Sequence, residues 1–341
     1  MANKKEKILT RKLVKKLGLC KVSVITADML KGYTSIGGGA FLFCSSLTSI
    51  EIPNSVTSIG DSAFFGCTGL TSVKIPNSVT SIEYEAFCGC CDLSSIEIPN
   101  SVTSIGNGAF YHCTSLAFIK IPNSVTSIAE YAFYYCTGLT SVTIGNGITS
   151  IGRYAFSGCS SLTSVKIPDS VTSIENSVFS GCKGLTSVTI PNSVTSIEKH
   201  AFYNCASLTS VTIPGGVTNI ELDAFYGCNS LPYVTIGNKT YKPQTVTDGK
   251  CKAYKAFNGS MKCRGFQYEE SKTYEFEGEP ELCTCGFHAS LCLLDVFNYY
   301  WGKIDKDVVV HEVELEGVSA ERRKYESKVV AKKITIGKRI L

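Results

Sequence analysis

The sequence predicts a parallel β-solenoid of about nine 23-residue coils followed by a small α+β domain. Nine cysteines, from Cys44 to Cys228, recur every 23 residues without an insertion. A fixed period of a few tens of residues is typical of stacked coils, because each coil buries its apolar face only against its neighbours. After residue 240 the repeat stops and irregular strand-like runs begin. The predicted domains are residues 1–38 (a cap and a degenerate first coil), 39–240 (the solenoid), 241–250 (a linker) and 251–341 (the α+β domain).

The N-terminal residues are predicted to form an amphipathic helix of about four turns. Leu9, Leu13 and Leu17 recur every four residues, and lysines occupy the other faces. This helix can cap the first coil, since solenoids need covered ends. Alternatively, it can lie on a membrane surface, which is the one membrane contact we expect. No long apolar run follows the basic start, so we predict no signal peptide and an intracellular protein.

The charge distribution argues against a nucleic-acid-binding solenoid. The formal net charge is +4, but residues 1–31 carry nine basic and two acidic side chains, whereas residues 32–240 carry seven basic and twelve acidic ones. Phosphate binding needs clustered positive charge. We therefore expect no nucleic-acid partner.

Most coils contain a strand that ends at a proline. Ile50 and Ile52 flank Glu51 at strand spacing, so the isoleucines are expected to point inward. Pro53 ends the strand because it has no N–H to donate. A phenylalanine follows in the turn of every coil, from Phe41 to Phe225, and predicts an aromatic spine. The strands are predicted to form one curved sheet.

The repeat resembles the BspA-type leucine-rich repeat. The residues that carry this resemblance in one coil are Cys67, Leu70, Val73, Ile75, Pro76, Val79, Ile82, Ala86 and Phe87. The resemblance implies a leucine-rich repeat solenoid, an adhesive or otherwise protein-binding role, and an inward cysteine that satisfies backbone groups of the loop. Because parallel strands lie about 4.8 Å apart, these cysteines should form a ladder. We expect free thiols, which behave as small hydrophobes, with bridges between some rungs as the alternative.

Differences between coils indicate where a partner would bind. The outward strand row begins Glu51, Lys74, Glu97, Lys120, and its alternating charges are expected to neutralise each other. Tyrosines concentrate instead around the Ala-Phe turn. Tyrosine provides a large contact area at low entropic cost, so we predict a partner site whose residues are Tyr131, Tyr134, Tyr135 and Tyr154. The alternative is that these rings only cover hydrophobic coil edges.

The C-terminal domain holds a possible zinc cluster. The segment resembles an uncharacterised domain found at the C-terminus of some bacterial and phage proteins, and a helix is predicted over residues 290–301. Its C-x-C-x-x-H-x-x-x-C cluster consists of Cys283, Cys285, His288 and Cys292. Thiolate and imidazole are zinc ligands. The alternative is a set of plain thiols with a structural histidine.

A second constellation in this domain resembles ADP-ribosyltransferases. Arg264, the GFHAS stretch with His288, and the late acidic run of Glu312, Glu314 and Glu316 are similar to the arginine, serine and E-x-E order of those enzymes. In that family an arginine and a histidine orient the dinucleotide and a glutamate holds the ribose. The resemblance implies an enzyme whose target the solenoid selects. The alternative is a half-solvated strand that buries the residues between its glutamates.

Together these observations predict a protein-binding or scaffold leucine-rich repeat protein. We expect no catalytic activity in the solenoid, no cofactor and a monomeric chain.

Overall fold

The computed structural model describes most of the solenoid and the strands of the C-terminal domain. The described residues are 7–221, 224–232, 234–241, 250–258, 262–263, 266–267, 270–275, 287–290, 308–319 and 328–339.

The first side of the solenoid is a parallel strand ladder, which we call the long ladder. In the regular three-residue strands of this ladder the central residue is buried and the flanking residues are exposed, as Val73 is between Ser72 and Lys74. Its strands are β2 (Val24–Ile25), β4 (Ser49–Glu51), β6 (Ser72–Lys74), β8 (Ser95–Glu97), β10 (Phe118–Lys120), β12 (Ser141–Thr143), β14 (Ser164–Lys166), β16 (Ser187–Thr189), β18 (Ser210–Ile213) and β20 (Val234–Ile236). Hydrogen-bonded pairing runs from β2 to β8 and again from β10 to β20.

A second parallel ladder, the short ladder, follows the proline turn of each coil. Its strands are β1 (Ile8–Leu9), β3 (Ser35–Ile36), β5 (Ser58–Ile59), β7 (Ser81–Ile82), β9 (Ser104–Ile105), β11 (Ser127–Ile128), β13 (Ser150–Ile151), β15 (Ser173–Ile174), β17 (Ser196–Ile197) and β19 (Asn219–Ile220). The prediction of one curved sheet is therefore wrong. The Thr-Ser-Ile segment after the turn also extends and pairs with its copies, because each isoleucine is buried in the same register.

The Ala-Phe turns form the third side of the solenoid, which we call the turn side. Here each phenylalanine N–H donates to the carbonyl one coil further on, as Phe133 does to Ala155 at 2.8 Å. The nine phenylalanines from Phe41 to Phe225 are fully buried, and neighbouring rings stack at 5.2–5.8 Å with interplanar angles of 2–13°. Burial of one such side chain contributes about 1.5–3 kcal/mol. The predicted aromatic spine is confirmed.

The repeat cysteines line the core beside this spine. Each thiol donates to the carbonyl of a phenylalanine in the preceding coil at 3.0–3.2 Å, for Cys67, Cys90, Cys113, Cys136, Cys159, Cys182, Cys205 and Cys228. These eight are free. They satisfy loop backbone groups, as the family resemblance implied. The prediction that every repeat cysteine is free is wrong at Cys44, which is bridged to Cys20 of the N-terminal segment. Cys20 lies one rung above it, with the two Cα atoms 4.8 Å apart.

The N-terminal segment covers the first coil with little helix. Helix α1 spans only Arg11–Lys16, followed by 3₁₀ turns at Leu19–Lys21 and Ala27–Leu30. The predicted four-turn helix is wrong, because the Thr10 side chain caps α1 at its start and Gly18, at φ 71°, ends it. Leu17 is 52% exposed. The burial of Leu9, Val14 and Leu19 in the core nevertheless seals the first coil.

The described part of the C-terminal region is antiparallel. A hairpin strand β21 (Lys239–Tyr241) pairs with β20 at the end of the solenoid. The strands that follow are β22 (Lys250–Asn258), β23 (Lys262–Cys263), β24 (Phe266–Gln267), β25 (Thr273–Glu275), β26 (Phe287–Ser290), β27 (Val308–Ser319) and β28 (Lys328–Arg339). Their sheet has the order β25-β28-β26-β22-β27, and β27 also pairs with β28, so that four strands form a closed ring.

The predicted C-terminal helix falls mostly outside the described residues. Ser290, its first residue, belongs to strand β26, and residues 291–301 are not described. Among the described residues, no helix has the length and apolar content needed to cross a lipid bilayer.

Candidate functional site

The turn side has an unusual backbone at two positions in each coil. The residue two before the spine phenylalanine and the residue two after it take positive φ in nearly every coil, and glycine often occupies them, as Gly158 does at φ 76°. In the middle coils tyrosine stands there instead, with Tyr131 at φ 58°, Tyr135 at φ 56° and Tyr154 at φ 59°. Residues with a Cβ atom are disfavoured in this left-handed region of backbone conformation, because the Cβ atom approaches the following carbonyl oxygen.

These tyrosines belong to a cluster of stacked rings that we call the tyrosine patch. Its six members are Tyr111, His112, Tyr131, Tyr134, Tyr135 and Tyr154. The exact coil period places identical positions one above another, so Tyr131 stacks on Tyr154 and His112 stacks on Tyr135. The ring centroids are 5.0 Å and 5.5 Å apart, and each pair lies within 3° of parallel.

Edge contacts join these stacked pairs into one surface. Tyr134 makes edge-to-face contacts with Tyr135 and Tyr131, with ring centroids 4.6 Å and 5.4 Å apart. It also stacks on Tyr111, with ring centroids 5.1 Å apart. Aromatic pairs in such geometries contribute about 0.5–1.5 kcal/mol each beyond their burial. The rings therefore hold one another in position.

The patch is open to solvent at its outer rings. Tyr131 is 38% exposed and Tyr135 is 42% exposed, whereas Tyr134 and Tyr154 are half-buried. Burial, and then the neighbouring tyrosines, raise the pKa of Tyr134, so its hydroxyl stays protonated at neutral pH and can donate a hydrogen bond. The surface offers apolar ring area and polar hydroxyls together.

The structure brings together all four tyrosines proposed from the sequence and adds His112. Sequence reasoning missed His112, although it lies 23 residues before Tyr135 and therefore directly above it. The period was the signal that could have identified it.

The long ladder carries the charged row and a groove. Its register places Lys74 between Glu51 and Glu97, as predicted from the spacing. A cavity of about 520 Å³ opens at the interruption between β8 and β10, with Glu97, Phe118 and Lys120 among its lining residues. Phe118 is 50% exposed. The strand face is thus not only a flat row of charges.

The interruption of the long ladder coincides with a local difference in sequence. In the regular coils a threonine donates both its N–H and its hydroxyl to the carbonyl one coil above, as Thr140 does to Ala117 at 2.9 Å for each bond. Ala117 has no hydroxyl, and in the described coils its N–H makes no corresponding bond to Ser94. The next residue, Phe118, stands where other coils have serine.

The C-terminal candidates are only partly described. Arg264 lies outside the described residues. His288 pairs with Val330 of β28, whereas Glu316 pairs with Lys333 on the other side of that strand, three residues away.

Glu314 is exposed between the buried side chains of Val313 and Leu315, which is the alternation of a half-solvated strand. The register therefore offsets His288 from the acidic run. The enzyme hypothesis stays a prediction.

The zinc hypothesis rests largely on residues that are not described. Cys283, Cys285 and Cys292 lie outside the described residues, and His288 is in strand β26. In the part of the chain that the structure describes, no group of three or more metal-ligating side chains occurs.

One family model matches the C-terminal part of the chain. The family model described as "Domain of unknown function (DUF7666)" matches residues 251–341. The resemblance of this segment to an uncharacterised domain is therefore confirmed. No curated protein matches the chain.

Several solved bacterial structures are similar to the solenoid. A leucine-rich repeat protein from Bacteroides ovatus is 32% identical with a TM-score of 0.54, covering 60% of this chain and 59% of that chain. The T. pallidum leucine-rich repeat protein is 28% identical with a TM-score of 0.47, covering 58% of this chain and 82% of that chain. This chain thus spans 59% of the length of the B. ovatus protein.

The family model described as "BspA type Leucine rich repeat region (6 copies)" matches residues 34–163 and 149–250, which is more than half of the chain. The repeat length, the inward cysteine and the stacked phenylalanines all follow the frame on which the resemblance rested. The chain belongs to the BspA-type leucine-rich repeat family.

Proposed function

We propose that the solenoid is a protein-binding scaffold and that its partner docks on the tyrosine patch. The observation that carries this proposal is the stack of solvent-exposed tyrosines held in left-handed backbone conformation. Leucine-rich repeat proteins generally act through protein interactions, and the patch supplies a specific surface for one.

The backbone conformation supports a role beyond folding. An L residue in the left-handed region is disfavoured by about 1–2 kcal/mol, and Gly158 and Gly181 avoid that cost at the position equivalent to Tyr135. Burial does not account for Tyr135, because it is 42% exposed. Phe43 and Asn204 also take positive φ at this position, so the conformation belongs to the repeat. What the patch adds is a set of exposed rings at such positions, and outliers of this kind are common at binding sites.

The arrangement of the rings also suits recognition. Tyrosine is enriched among the residues that dominate protein interfaces. Here each ring already stacks on a neighbour, as Tyr131 does on Tyr154, so little side-chain freedom remains to be lost on binding. Fully buried Phe133 and Phe156 support the patch from behind. The rings thus present a rigid platform.

The charged row offers less to a partner. Its members are exposed, and exposed ion pairs contribute only about 0–1 kcal/mol. The groove at Phe118 is the stronger competitor on that face, and the experiment below separates the two surfaces.

The test compares three variants of the full chain against a captured partner. Y134A/Y135A/Y154A should weaken binding by more than about tenfold, since interface anchors contribute about 1–2 kcal/mol or more each. The control Y84A/Y226A removes exposed tyrosines of the turn side that lie outside the patch, and it should bind like the parent.

The third variant, F118A/K120A, alters the groove of the long ladder. Unchanged affinity of the patch variant, or loss of binding only in F118A/K120A, would place the site on the strand face and refute the proposal. Thermal melting of all three variants shows that the comparison is between folded proteins.

A further inference from the structure

The Cys20–Cys44 pair differs from every other cysteine of the described solenoid. Its two sulfurs form a disulfide across the boundary between the cap and the first coil. Cys20 is partly exposed, whereas Cys44 is 1% exposed. Cys20 is therefore the more accessible residue of the bridge, and Cys44 is enclosed.

A guanidinium group lies against this bridge. Arg11, the first residue of α1, directs Nη1 to the Cys20 Sγ at 3.0 Å and to the Cys44 Sγ at 3.3 Å, and also donates to the Ala40 carbonyl at 3.4 Å. A cation at this distance favours a thiolate over a thiol. A thiolate formed at either sulfur would therefore be paired with the Arg11 guanidinium.

The remaining ladder thiols have no such neighbour at hydrogen-bond distance. From Cys67 onward each donates to a phenylalanine carbonyl instead. Burial raises the pKa of Cys67 to about 12, although a backbone hydrogen bond and the more distant Arg11 act in the opposite direction. Burial likewise raises the pKa of Cys182 to about 12. These thiols have a structural role. The Cys20–Cys44 bridge differs from them because it lies beside a cation.

We propose that Cys20–Cys44 is an exchangeable disulfide that reacts with small thiols, with attack at Cys20 and departure of Cys44 as a thiolate paired with Arg11. Exchange rates depend on access to the attacked sulfur and on how readily the leaving thiolate forms. The exposed Cys20 meets the first requirement, and Arg11 beside the enclosed Cys44 meets the second.

The reaction balances with a small thiol as the only co-reactant. A thiolate RS⁻ attacks the Cys20 Sγ and forms a new S–S bond, while the Cys20–Cys44 bond breaks and its electron pair leaves on Cys44. A second RS⁻ attacks the R sulfur of this mixed disulfide, which releases RSSR and the Cys20 thiolate. Two electrons pass from the small thiols to the bridge, and the cysteine sulfurs then take protons from water or stay paired with Arg11.

The cap does not depend on the bridge to stay in place. Leu9 and Val14 are fully buried in the core, and β1 pairs with β3. Reduction should therefore leave the cap seated and the two sulfurs close together. That makes the exchange reversible.

The experiment measures how fast dithiothreitol opens the bridge in the oxidised full-length protein. Alkylation of samples taken over time, followed by peptide mass spectrometry, reports Cys20 and Cys44 separately. R11Q should slow the opening at least several-fold, because loss of the cation raises the pKa of the leaving Cys44 thiol and a leaving thiol of higher pKa departs more slowly. R11K should recover part of the rate, and the neighbouring K12Q should react like the parent.

A second measurement uses only the parent protein and so does not depend on how a variant folds. In the reduced chain at pH 7, iodoacetamide should label Cys20 at least about tenfold faster than Cys67, given that the thiolate is the reactive form. Equal rates for R11Q and the parent would overturn the proposal. So would equal labelling of Cys20 and Cys67, or the absence of a Cys20–Cys44 bridge in protein purified without reductant.

Discussion

Replacement of Tyr135 tests whether the tyrosine patch holds a strained backbone. At φ 56°, Tyr135 occupies a position where Gly66, Gly89 and Gly158 stand in other coils. Y135G and Y135A both remove the ring and its contacts with His112 and Tyr134. The two variants therefore differ only in their backbone preferences, in the folded and in the unfolded chain.

The expected difference follows from two opposing terms. A residue with a Cβ is disfavoured in the left-handed region by about 1–2 kcal/mol. Glycine loses more conformational freedom on folding, which costs about 0.4–1 kcal/mol relative to alanine. Y135G should therefore be more stable than Y135A by about 0.5–1 kcal/mol, the reverse of the usual order. With an m value of about 3 kcal/mol/M, the urea midpoint should differ by about 0.2–0.3 M.

Tyr134 supplies the matched control, because it is adjacent in sequence, belongs to the same patch and does not have positive φ. There the order should return to normal, with Y134A more stable than Y134G. If Y135A equals or exceeds Y135G in urea titrations with a shared m value, Tyr135 is not strained and the reasoning from backbone to function fails.

Two further predictions concern the core and the strand face. Burial raises the pKa of Cys136 and of Cys182 to about 12, whereas unfolded thiols ionise near 9, so the folded chain binds more protons above that pH. The contribution of each such thiol to the free energy of unfolding should thus be complete below about pH 9. Between about pH 9 and 12 the free energy of unfolding should fall by about 1.4 kcal/mol per pH unit for each such thiol. Urea midpoints that do not change between pH 8 and pH 10 would contradict this. On the strand face, A117T should restore the missing hydrogen bond from a hydroxyl group to the Ser94 carbonyl. We expect it to stabilise the chain by about 0.5–1 kcal/mol and to slow amide hydrogen exchange at residue 117. Faster exchange there would show that Phe118, and not the missing hydroxyl, opens the ladder.

Much of the solenoid could be read from the 23-residue period. The period places Phe133 under Phe110 and Cys136 under Cys113, because a coil without insertions returns each position to the same side of the stack. The period also predicted which strand positions point inward and which point outward, and it predicted the row in which Lys74 lies beside Glu51. Even the proximity of Tyr131 and Tyr154 was implied by their spacing.

The N-terminal and C-terminal parts could not be read in this way, because no period constrains them. The lysine and leucine pattern suggested a long helix, but a threonine cap and a glycine with positive φ limit α1 to Arg11–Lys16. Similarly, a helix was predicted to begin at Ser290, whereas Ser290 belongs to strand β26. Short apolar runs are compatible with either structure, and pairing with a distant strand decides between them.

By itself, the sequence determined the repeat architecture, the aromatic spine and the ladder of cysteines, because a strict period makes every coil a neighbour of its own copy. Only the tertiary structure decided that the coil has two strand ladders, that Cys20 meets Cys44 beside Arg11, and that Tyr135 takes positive φ. Each of these depends on distances and dihedral angles set by packing between segments.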